Sequence, residues 1–231
     1  MNTRFFVALV FSLLLVRFVG VQADDLPSEF ADYVPVKFEE DGALYVQADL
    51  DYQHLPKTGD LEFISFLIGR LPVAIGFDPG DSDDPAFEIV VGEPGNEQRF
   101  NVPADRAFLN CLGRLFVENR TNSYYNKRRL LDIGPHGLLE IDQPFYAVDL
   151  QCEINGTLHL WSDPCGVGAP VISTWSPHKV HVVLAHGECP GTDEVSFLVQ
   201  TEFGLTGWTN TSIGHLETPG EPLACIVYHG D

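Results

Sequence analysis

Four carboxylates crowd one short stretch of the sequence: Asp78, Asp81, Asp83 and Asp84 in Asp78-Pro79-Gly80-Asp81-Ser82-Asp83-Asp84. Oxygen ligands on a tight turn are what calcium coordinates in the extracellular space. The spacing is not that of an EF-hand loop, and a solvated acidic turn is the competing reading. Calcium is the one cofactor these residues offer. His178, His181 and His186 also gather near one strand. Odd separations alternate between strand faces, so a regular strand does not converge the three on zinc. Nucleophilic hydrolysis lacks a Gly-x-Ser-x-Gly elbow and a cysteine-protease context. A dinucleotide or methyl-donor site needs a glycine-rich turn from strand into helix. The tightest glycine pair, Gly166-Val167-Gly168, instead leads into the strand-like Ala169-Pro170-Val171-Ile172. The sequence therefore nominates no catalytic or cofactor-binding set, and binding fits it better than catalysis.

Sulfur and asparagine chemistry point to a compartment. Cys111, Cys152, Cys165, Cys189 and Cys225 are disulfide candidates; their spacing selects no pairing, and the odd count leaves one thiol free or intermolecular. No Cys-x-x-Cys pair suggests zinc. Asn119-Arg120-Thr121, Asn155-Gly156-Thr157 and Asn210-Thr211-Ser212 are N-glycosylation sequons, which predict surface positions. Lys127-Arg128-Arg129, beside Tyr124-Tyr125, is the one basic stretch; it reads as an exposed loop entering a strand at Leu130, with proteolytic processing as the alternative. Trp161, Trp175 and Trp208, with Phe116, Tyr124 and Tyr125, could stack on a sugar or lipid, although strand aromatics are more often core and Trp161 and Trp175 are expected there.

The chain opens with a short apolar run, Phe5 to Val16, followed by Arg17 and a small-residue site ending at Ala23, which reads as a signal peptide over residues 1–23. No later segment is apolar for long enough to span a membrane. Cleavage after Ala23 would remove Arg4 and Arg17 and no acid, taking the formal charge from -20 to -22. Such a chain is repelled by nucleic acid and by anionic membranes, and is predicted to be secreted and extracellular.

What must position these residues is a strand-and-turn rhythm. From Ala43 to about Gln200, runs of β-branched and aromatic residues alternate with Gly, Pro, Asp or Asn. The expected strands are residues 44–48, 61–68, 73–77, 87–91, 107–117, 129–133, 138–141, 146–154, 158–161, 171–175, 180–185 and 195–201, with Leu223 to Tyr228 as a last strand stapled by Cys225. No window has a sustained helical period. The predicted fold is all-β, an antiparallel β-sandwich of jelly-roll or lectin-like type with few or no helices. The expected organisation is a 24–42 extension before a single domain over 43–231. One hairpin is expected about Asn155-Gly156, joining the alternating Val148, Leu150, Cys152 and Ile154 to Leu158 and Leu160.

Several stretches share their order and character with a known arthropod domain. They are Leu61 to Phe66 before Pro72-Val73-Ala74-Ile75-Gly76-Phe77, Phe87-Glu88-Ile89-Val90-Val91-Gly92 with Gly95-Asn96, Asn155-Gly156-Thr157-Leu158, Pro170 to Trp175, and Lys179 to Gly187. Over roughly Tyr45 to Gly187 the chain resembles the farnesoic acid O-methyltransferase-like domain. That resemblance implies a lectin-like β-sandwich of secreted or accessory modules. The sequence shows no methyl-donor site to go with the family's name.

The expectation is a secreted, acidic glycoprotein acting as a non-catalytic recognition module for a glycan or small apolar ligand. The alternatives are a structural or interaction protein of an extracellular secretion or matrix, marked by a disulfide-linked dimer, and an enzyme related to farnesoic acid O-methylation.

Overall fold

The computed structural model describes residues 26–38, 42–80, 84–166, 168–175, 178–189, 194–212, 222–223 and 225–230. The expected signal peptide lies outside them. The chain divides into two compact units, residues 1–31 and 32–231. The described part of the first contains a 3-10 turn, Ser28–Phe30.

The described residues of the second unit form four sheets. Sheet I has the order β1-β2-β8-β9-β10-β11, built from β1 (Tyr33–Lys37), β2 (Ala43–Gln47), β8 (Arg106–Leu109), β9 (Arg114–Asn119), β10 (Lys127–Gly134) and β11 (Gly137–Ile141). Sheet II is a meander of β3 (Tyr52–His54), β4 (Phe63–Ile68), β5 (Leu71–Asp78), β6 (Ala86–Val91) and β7 (Gln98–Pro103). Sheet III has the order β12-β15-β16-β17, from β12 (Phe145–Glu153), β15 (Lys179–Glu188), β16 (Glu194–Thr201) and β17 (Thr206–Ser212). Sheet IV pairs β13 (Thr157–Leu160) with β14 (Ile172–Trp175). The fold is all-β and sandwich-like, as the strand rhythm predicts.

Period-2 alternation explains how sheets I and II meet. Ile64, Phe66, Val73, Ile75, Phe87, Ile89 and Val91 of sheet II pack with Leu44, Val46, Ala107, Leu109, Leu115 and Val117 of sheet I in one buried cluster. Complete burial of side chains such as Phe87 or Ile75 stabilises by about 1.5–3 kcal/mol each. One ladder is parallel: after β2 the chain leaves to build all of sheet II, then returns as β8 alongside β2. A second, separate cluster joins Cys152, Val180, Val182, Phe197 and Val199 of sheet III to Leu158 and Leu160 of sheet IV and to Leu223.

Several expected elements differ. The run 107–117 is two strands, because Asn110 accepts the backbone N–H groups of Leu112 (3.0 Å) and Arg114 (2.9 Å) and Gly113 takes φ +84°, closing a turn. The hairpin about Asn155-Gly156 does not form. β12 pairs with β15 and β13 with β14, so this turn is a corner between sheets III and IV. Cys152, Ile154, Leu158 and Leu160 pack into one core without pairing the edges of β12 and β13, but the expected alternation breaks in β12, where a bulge between Ala147 and Leu150, with Asp149 at φ 53°, leaves Leu150 exposed. Among the described residues of the tail, the pairing is by isolated bridges, Leu223 to Ile154 and, just beyond, His229 to Ser123, with no ladder. Lys127–Arg129 belongs to β10, with ladder partners on β9, and is not a loop.

Candidate functional site

Inward alternation of sheet II fixes what its outer face presents. The register places Gln53, Ser65, Ala74, Val90 and Arg99 in one row across all its strands. The three central members are short, and large side chains stand at the margins: Leu67, 60% exposed, beside Pro72 on one side, and Leu55 on the segment after β3 on the other. In the next row Phe63 opposes Gly76. A Cβ at Gly76 would lie 2.8 Å from the Phe63 ring, so the glycine lets that ring lie flat on the strand as an aromatic wall. The result is a cleft of about 650 Å³. Pockets for small molecules span about 300–1,000 Å³, with apolar walls and few polar groups.

Polar groups sit at the rim. Gln53 offers a neutral amide there and Ser65 a hydroxyl from the central row, Asp49 and Asp51 also line the cleft, and Arg99 is held by Glu88 in an ion pair on the sheet surface. Cys111, the exposed unbridged cysteine, lines the same cleft. Sequence reasoning missed this row. Short residues at non-core positions of successive strands are visible in the sequence, but their alignment in one row is set by register.

The expected site residues do not converge. Asp81 and Asp83 lie outside the described residues. Asp78 accepts the Gly80 N–H at 3.0 Å, closing its own turn, and Asp84 accepts from Asn122 Nδ2 at 3.1 Å. His181 lies 2.7 Å from Asp149, whereas His186 packs against Phe145 and Trp208. The metal-capable group among the described residues is Cys165, His186 and Cys189, but the two sulfurs are bonded to one another and offer no thiolate. The second bridge is Cys152–Cys225. Trp208 is buried and Trp161 half-buried, joined by paired backbone hydrogen bonds. Tyr124 and Tyr125 pack on the second core, while Phe116 sits half-buried in sheet I; the side chain of Trp175 lies outside those described.

A second cleft, about 600 Å³, opens between the two cores, lined from one side by Pro85, Ala86 and Asn101 and from the other by Tyr124, Val195 and Tyr228. Asn122, in the left-handed region at φ 55°, spans it: its Oδ1 accepts from Tyr228 Oη (3.2 Å) while its Nδ2 donates to Asp84. His229, next in the chain, has Nε2 at 2.7 Å from an Arg120 guanidinium nitrogen. Burial, then the Arg120 charge, lower its pKa below the ordinary imidazole value. A base whose folded pKa is depressed takes up its proton more readily when unfolded. Its contribution is intact above about pH 6.5 and is lost as the pH falls through the folded value. The expected outcome is that acidification loosens the His229–Ser123 bridge, with faster amide exchange at both residues than at β15. Unchanged protection of those amides at low pH would contradict it.

Compared with known protein families, curated proteins and solved structures, the chain gives no match in any of the three.

Proposed function

We propose that this chain is a secreted extracellular recognition module that holds a small apolar ligand on the outer face of sheet II. The observation that carries the reading is the row of short side chains, Ser65, Ala74 and Val90, walled by Phe63, Leu67 and Pro72. Such a cleft rewards an apolar body with burial and offers Gln53 and Ser65 to orient one polar group. Two disulfides fit an oxidising compartment. Among the described residues no helix is long and apolar enough to cross a membrane. The signal-peptide pattern and the likeness in motif order to the farnesoic acid O-methyltransferase-like domain support the same reading. A glycan fits this cleft less well, because sugar hydroxyls need many convergent polar partners and its walls are apolar.

The test is native mass spectrometry of the protein secreted by insect cells, followed by titration with a fluorescent apolar probe. Ala74→Trp should fill the cleft and weaken probe binding at least about tenfold, or 1.4 kcal/mol, without lowering the melting temperature. Probe affinity unchanged in both Ala74→Trp and Val90→Trp would sink the reading. The exposed thiol of Cys111 supports a second one, a covalent dimer with a structural role. A band at twice the mass on non-reducing gels, abolished by Cys111→Ser, would favour it.

A further inference from the structure

The cleft between the two cores has an Asn-x-Thr asparagine in its wall. We propose that Asn119 is glycosylated and that the first sugars of its glycan occupy this cleft, bracing the two cores against each other. The inference rests on the secretion reading above and not on the ligand assigned to sheet II.

The geometry supplies three arguments. Asn119 is the last residue of β9 and lines the cleft, which has a volume of about 600 Å³. Its Oδ1 accepts the Thr121 N–H at 3.1 Å, and its Nδ2, the atom that carries a glycan, has no hydrogen bond among the described residues. The walls also suit a saccharide. Asn101 and Ser123 offer amide and hydroxyl groups, and Tyr124 and Tyr228, with ring centroids 5.1 Å apart, offer aromatic faces to sugar C–H groups. Lys127, seated over the Tyr146 ring at 5.2 Å, adds an ammonium donor.

The other two sequons differ. Asn155 stands exposed on the corner between sheets III and IV, where a glycan would project into solvent. Asn210 lies within β17 and its Oδ1 accepts from Ser196 Oγ at 2.7 Å.

Attachment follows the ordinary secretory chemistry. The Asn119 Nδ2 displaces a lipid pyrophosphate from the anomeric carbon of a lipid-linked oligosaccharide, forming the N-glycosidic bond and losing one amide proton. As the chain folds, the sugars nearest the protein are enclosed between Asn101 and Tyr228. A bracket of this kind would reinforce the contacts already made there by the described residues, the Asn122 clasp, the Arg120–His229 contact and the Ser123–His229 bridge.

The experiment is glycopeptide mass spectrometry on the full chain secreted by insect cells, combined with endoglycosidase digestion of the native protein. Asn119 should be occupied. Its glycan should be released at least about tenfold more slowly than that of Asn155, because the scissile bond is reached only through local opening. Asn119→Gln should lower the melting temperature and speed tryptic cleavage at Lys127–Arg129, whereas Asn155→Gln should do neither. Thr121→Ala, which removes the sequon but keeps the Asn119 side chain and the Thr121 N–H that it accepts, should reproduce the effects of Asn119→Gln, whereas Thr121→Ser, which keeps the sequon, should behave as wild type; the pair separates loss of the glycan from disturbance of the turn. Asn155 occupied with Asn119 bare would overturn the inference alone, as would equal release rates at the two sites. Both asparagines bare would overturn the secretion reading and the inference with it.

Discussion

Replacing Cys152 and Cys225 together by serine is expected to cost about 4 kcal/mol of folding stability, the chain-entropy value for a loop of this length. The bridge spans 73 residues of sequence and joins the buried face of β12 to a tail whose described residues form no strand ladder. Without it, the tail is held by the Ile154–Leu223 and Ser123–His229 bridges, the Asn155 N–H to Pro222 carbonyl bond, the contacts of Tyr228 with Asn122 and of His229 with Arg120, and the packing of Leu223 and Ile226 on the second core. Release of Leu223, 3% exposed, from the second core would still cost about 1.5–3 kcal/mol of burial, and would expose the apolar side of sheets III and IV. In a chain of this size the melting temperature should fall by about 8–16 °C. A double variant melting within about 2 °C of the wild type would show that packing alone secures the tail.

The second large effect is expected at Glu118. This residue is 6% exposed, and the register aligns it with Arg106 on β8 and Arg128 on β10. One carboxylate oxygen accepts from both Nε and an η nitrogen of Arg106, and the other from Nε of Arg128 at 2.8 Å. Glu118→Leu would strand the Arg106 guanidinium, whose side chain is 24% exposed, whereas Arg128, at 59%, can rehydrate in place. Breaking a buried pair on one side costs about 3–5 kcal/mol, and the access of Arg128 to water brings the expected loss to about 2–3 kcal/mol. Arg128→Ala should cost under about 1 kcal/mol, as for exposed pairs. Urea unfolding of the two variants distinguishes these values. Equal stability of Glu118→Leu and wild type would mean that desolvation of the carboxylate cancels its pairing.

Strands with apolar residues on their inward face and neighbours on both sides, such as β5, β6 and β9, are legible in the sequence, since full burial demands β-branched and aromatic side chains, and the edge strands β11 to β14 keep enough apolar residues to be read as well. The strands that the rhythm omits are β1, β3, β7 and β17, each at the edge of its sheet. An edge strand can tolerate polar residues and proline, as Pro35 and Pro103 show, and so loses the signal of alternation. The Asn110 and Gly113 turn was written in residue types, but the surrounding apolar run concealed it.

The sequence by itself determined the all-β class, most central strands, the acidic charge and the odd number of cysteines, because composition and period-2 patterning are local properties. Only the tertiary structure decided which cysteines pair, that Asn155-Gly156 turns a corner between sheets, and that Ser65, Ala74 and Val90 share a row while Asn119 enters the wall of a cleft. Those facts depend on register and on the packing of one sheet against another. They bring together residues far apart in the chain, and no local pattern encodes that proximity.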